Sequence, residues 1–77
     1  MLFSVEWDKK NEEVDLFLDS KGIDFLMKKL AYLKEKKKGE HLHFMTPSWG
    51  SGELAEQQQG EGSIVNHLCI QRVPEKN

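Results

Sequence analysis

The three histidines and the single cysteine of this 77-residue chain fall on two short stretches where apolar and polar residues alternate. His41 and His43 stand two apart in HLHFM, and His67 and Cys69 stand two apart in NHLCI. In an extended chain, residues two apart project from the same face. Imidazole and thiolate groups gathered in this way are the donors of a Zn, Cu or Ni site, provided three or four converge at about 2.0–2.3 Å from one point. Two strands meet that condition only in the right register, so histidines serving as polar surface are the leading expectation, with no metal and no cofactor assigned. Nucleophilic chemistry has less support. Cys69 shares a face with His67, but no third group is placed to orient the pair, and Ser48 and Ser51 lie outside any nucleophile-elbow pattern. Gly50, Gly52, Gly60 and Gly62 match neither the dinucleotide nor the Walker spacing. The chain therefore reads as a non-enzyme.

The elements that must position these groups follow from periodicity. Phe3, Val5 and Trp7 alternate with Ser4 and Glu6, and Val14, Leu16 and Leu18 alternate with Asp15 and Phe17, so residues 2–19 form a hairpin turning at DKKNEE. From Ser20 the period lengthens. Ile23, Leu26, Met27, Leu30 and Leu33 mark one face of a helix over residues 20–38, capped by Asp19 or Ser20 and closed near Gly39. The lysines at 34 and 36–38 suit the negative end of the helix dipole and read as a solvated helix end. A third strand over 40–45 and a fourth over 64–73 complete a β-β-α-β-β order. Asn66 falls on the inward face of the fourth strand, which predicts a bulge or a shift of register there. The fold class is α+β: a small sandwich, one domain over 1–77, with one helix on a mostly antiparallel four-stranded sheet.

If the helix covers Phe3, Val5, Val14, Leu16, Leu42, Phe44, Leu68 and Ile70, the opposite face carries Phe17, His41, His43, Met45, Val65, His67 and Cys69. That mixture of aromatic, thioether and imidazole groups is too apolar for plain wet surface. Three covers compete for it: a binding partner, the long loop, or a second copy of the chain. The loop over 46–63 is longer than a hairpin connection, which usually needs about 2–5 residues. QQQGEG at 57–62 reads as mobile, and a short helical turn over 52–58 is one option. TPSWGSGEL is better anchored, and Trp49 either plugs the open end of the core or serves as an interface anchor.

Composition narrows the class. The chain is 38% hydrophobic and 31% charged, with eleven basic and thirteen acidic residues giving a net charge of −2. No second basic cluster accompanies the lysine run, which argues against nucleic acid as a partner. No apolar run approaches the roughly 20 residues of a membrane span, and MLFSVEWDKK lacks the pattern of a signal peptide. A lone cysteine suits a reducing compartment, so a cytoplasmic location is expected.

The stretch HLHFMTPSWGSGELAEQQQGEGSIVNHLCI, residues 41–70, resembles the signature of the immunity protein 32 family of bacterial polymorphic toxin systems. Met45, Thr46, Pro47, Trp49, Gly50, Glu53, Leu54, Asn66, His67 and Leu68 carry the likeness in order. The resemblance implies a small cytosolic, non-catalytic protein that neutralises a cognate toxin by binding it. With the face assignment, it nominates Phe17, His41, His43, Met45, Trp49 and His67 as the partner-binding residues. A small metal-binding or histidine-based enzyme and a structural homodimeric module are the alternatives.

Overall fold

Alternation in the first eighteen residues produces the hairpin it predicts. In the computed structural model, which describes residues 1–36 and 39–75, β1 spans Phe3–Asp8 and β2 spans Glu13–Leu18. They pair antiparallel from Phe3 opposite Leu18 to Asp8 opposite Glu13. The Asp8 carboxylate accepts hydrogen bonds from the Asn11 amide and side chain, which ties the turn. Glu12 closes it at φ 53°, a left-handed conformation that a side chain disfavours.

The helix α1 spans Ser20–Lys34, and the Asp19 carboxylate caps it by accepting from the Gly22 amide at 2.7 Å. It ends earlier than the expected residue 38. The Glu35 amide is shared between the Ala31 and Tyr32 carbonyls, and the Lys36 amide reaches Leu33, so the last turn tightens into 3-10 geometry. Lys37 and Lys38 lie outside the described residues. Gly39, expected to close the helix, lies beyond the observed C-cap at Glu35.

The face α1 presents to the core also differs from the expected stripe. Gly22 and Leu33 are buried and Phe25 and Leu26 pack inward, whereas Ile23, Met27 and Leu30 are exposed. Gly22 sets this orientation. A Cβ there would stand 1.9 Å from the Leu2 carbonyl oxygen, so only glycine lets the helix approach β1 this closely.

β3 spans His41–Met45 and β5 spans His67–Gln71, and between them lies β4, Ser63–Ile64. The expected single four-stranded sheet is in fact two antiparallel sheets, a three-stranded one in the order β2-β1-β4 and a two-stranded β3-β5 ribbon. The division falls at Val65 and Asn66. Val65 still donates to the Val5 carbonyl of the first sheet, while the Asn66 carbonyl already accepts from Thr46 beside the second. The strand expected over 64–73 therefore breaks where an inward asparagine interrupts its apolar pattern, and changes sheets there.

Segment 54–55 stitches the two sheets together. Leu54 donates to the Met45 carbonyl and Ala55 to the Phe3 carbonyl, and the Leu54 side chain, 1% exposed, fills the space between them. Phe3, Val5, Phe44 and Leu54 make the core, with Leu18, Phe25, Leu26, Leu42, Val65, Leu68 and Ile70 around it. Val65, expected on the open face, thus turns inward.

β1 lies between β2 and β4, and the segment carrying Gln59, Gly60 and Gly62 folds over the face of β1 that bears Glu6, so Ser4 and Glu6 are as buried as Phe3 and Val5. β2 fares differently. A fifteen-residue helix is roughly 22 Å long and covers only part of the hairpin. Val14 and Leu16, expected beneath it, remain 59% and 46% exposed.

Candidate functional site

The β3-β5 ribbon sets three histidines and a tryptophan side by side. Its register places His41 opposite Gln71, His43 opposite Cys69, and Met45 opposite His67, so all six project from one face. The His41 and His43 rings meet edge to face with centroids 4.7 Å apart. His43 reaches diagonally to His67, with centroids 4.8 Å apart and the His43 Nδ1 2.7 Å from the His67 Nε2. Trp49 continues the row, its ring 6.2 Å from that of His67. All four side chains are exposed.

Local sequence explains why Trp49 stands there. Pro47 opens a 3-10 turn, Pro47–Trp49, in which the Trp49 and Ser51 amides both donate to the Thr46 carbonyl. Gly50 ends the turn at φ 105°, a conformation that costs glycine least. The turn stands on a buried polar clasp: the Thr46 hydroxyl donates to the Asn66 side-chain oxygen at 2.7 Å while its amide donates to the Asn66 carbonyl. Two carboxylates fasten the far side. Glu53 accepts from the Met45 amide and the Ser51 hydroxyl, and Glu56 accepts from the Ser48 amide. The Ser51 hydroxyl, opposed by partial burial and helped by the Met45 amide, holds the Glu53 carboxyl below its ordinary 4.5. Ser48 does the same for Glu56. Trp49 is 58% exposed, so Leu54 fills the core and the tryptophan faces solvent.

The remaining nominated residues lie around this row or away from it. Met45 is half-buried beside His67. Phe17 belongs to β2 in the other sheet, and its ring packs where a Cβ on Gly60 would stand, at 2.8 Å. Cys69 is a free, exposed thiol opposite His43.

Sequence reasoning misses Glu6. Fully buried, its carboxylate accepts from the amides of Gln59, Gly60 and Gly62 at 2.6–3.2 Å, fastening the segment that composition marks as mobile. Burial pushes this carboxyl up, but the three amides outweigh it and hold it below its ordinary 4.5. The available signal is the pair of glycines: Gly60 lies against Phe17, and a Cβ on Gly62 would stand 2.7 Å from the Trp7 carbonyl oxygen.

Chemically, the row offers four flat rings for stacking, and imidazole nitrogens for hydrogen bonds to an incoming partner. The contact between His43 and His67 requires one ring to donate and the other to accept, which fixes their relative orientation. Among the described residues, no group of three or more His, Cys, Asp or Glu side chains is arranged to hold a metal ion. Nor is any helix among them long and apolar enough to cross a membrane. No protein-family model, curated protein or solved structure matches the chain. The likeness to the immunity protein 32 family therefore rests on the motif within residues 41–70 alone.

Proposed function

We propose that this chain is a non-catalytic immunity protein that binds and neutralises a cognate bacterial toxin domain in the cytoplasm of the producing cell. The observation that carries this reading is the continuous exposed row His41, His43, His67 and Trp49 on a backbone-locked ribbon. Aromatic groups held rigidly on a sheet lose little entropy on docking, which is why such residues dominate the energetics of interfaces.

Met45 borders the proposed contact, and Phe17 takes part only if the toxin also reaches the other sheet.

The test is to ask whether a gene beside this one encodes a toxin domain and, with that domain, to co-express the two. Wild-type protein should rescue growth, and His43→Ala and His67→Ala, both folded, should weaken binding about tenfold or more, as expected for central interface residues. Folded histidine variants that bind and protect like the wild type would overturn the assignment.

A further inference from the structure

The order β2-β1-β4 leaves β2 at the edge of its sheet, and among the described residues no backbone hydrogen bond reaches its outer side. This edge is six residues long and contains neither proline nor bulge. On one face of the sheet, Val14 and Leu16 are exposed beside Trp7, which stands opposite Val14 and is itself 39% exposed. By alternation, the other face carries Glu13 and Asp15, with Asp8 opposite Glu13. Among the described residues none of these three acids forms an ion pair, and neither do Lys9 and Lys10 in the adjoining turn. The Asp15 side chain, through its hydrogen bond and its charge, holds the Glu13 carboxyl above its ordinary 4.5, as crowding of like charges requires.

An open edge, an apolar strip on one face and uncompensated acids on the other specify an occupant. We propose that the outer edge of β2 docks an extended basic segment of a partner protein, which joins the sheet as a further strand. Its main chain pairs with the free edge of β2. Alternate side chains then meet the two faces, apolar ones over Val14 and Leu16 and lysine or arginine beside Glu13 and Asp15. Charge decides against a second copy of this chain, because two β2 strands paired edge to edge would bring acid against acid. The proposal concerns a different sheet from the histidine row and stands without the immunity reading.

Two acetylated octapeptides test it, one alternating lysine with valine and the other glutamate with valine, each titrated into the uniformly 15N-labelled full chain. The lysine peptide should bind saturably, with amide shifts concentrated in Glu13–Leu18 and at Trp7. Its affinity should fall about tenfold in Asp15→Lys, and separately in Glu13→Lys, and weaken as salt is raised. The glutamate peptide should not bind. Absence of binding, shifts centred elsewhere, or equal affinity for both peptides would overturn the proposal. So would a wild-type dimer in sedimentation that Leu16→Lys dissociates, which would give the edge to a second copy.

Discussion

Glu6 and Gly60, fifty-four residues apart in sequence, meet at 3.1 Å, carboxylate oxygen to amide nitrogen. The Gln59 and Gly62 amides converge on the same carboxylate. A buried anion is tolerable only when donors surround it, and here the loop supplies them from its own backbone. Because the folded-state pKa is depressed, the resulting stability is full above about pH 4.5 and lost as pH falls through the folded value. Glu6→Gln should lower the melting temperature at neutral pH and flatten part of the acid transition. Asp19, Glu53 and Glu56 are also held low and sustain the remainder. An acid transition that overlays the wild type's would show that Glu6 contributes nothing to it.

Gly22→Ala should cost more than about 3 kcal/mol, since the added methyl meets backbone with no room to move aside. Chemical denaturation measures it directly. A loss below about 1 kcal/mol, as for an ordinary helix substitution, would mean that the helix is free to shift away from Leu2.

Glu12→Gly should instead stabilise the domain by about 1 kcal/mol, because glycine adopts the left-handed conformation without steric cost. The same change at Glu13, on regular strand, should destabilise. Paired melts of the two variants separate backbone relief from the removal of a negative charge.

Trp49 and Leu54 make a contrasting pair. Trp49→Ala should change stability by less than about 1 kcal/mol, whereas Leu54→Ala should cost about 2–5 kcal/mol by opening a cavity between the sheets. The tryptophan variant is therefore a clean probe of partner binding. A large loss of stability in Trp49→Ala would place that ring in the core.

Added chelator should leave the melting temperature unchanged, and purified protein should carry no stoichiometric Zn, Ni or Cu. The ribbon is held by backbone pairing from His41 to Met45, and a structural metal would contribute directly to folding free energy. One equivalent of metal, lost in His43→Ala, would redirect attention to an enzyme.

Local rules reach some of these features and not others. The hairpin and the Asp19 cap are legible because alternation and capping act within a few residues. The shared face of His41 and His43 follows from the same rule, but the diagonal meeting of His43 with His67 depends on the β3-β5 register, which pairing across the intervening loop sets. The inward asparagine marks the break at residue 66, although the exchange of sheets there requires knowing that β1 has a free side to receive β4. The helix face is misjudged because hydrophobicity ranks Ile23 and Met27 above Gly22, while close approach to Leu2 decides the packing. Glu6 escapes for a related reason: a charged residue in a strand reads as solvent-facing until a distant loop, here residues 59–62, proves to fold over that face.

The central position of β1 has a consequence for how the chain folds as it emerges. β1 and β2 can pair early, since a hairpin closes in about 1–10 μs. The other flank of β1 has to wait. Its partners at Ala55, Ser63, Ile64 and Val65 emerge more than forty residues after the strand itself, and at about 5–20 residues per second that delay lasts seconds. Through that interval Phe3 and Val5 lack most of their core, and Glu6 lies open to water without its amide donors. The ionised carboxylate keeps the nascent hairpin soluble on the side that must later be sealed, so the charge that anchors the finished loop also guards the unfinished sheet against premature pairing.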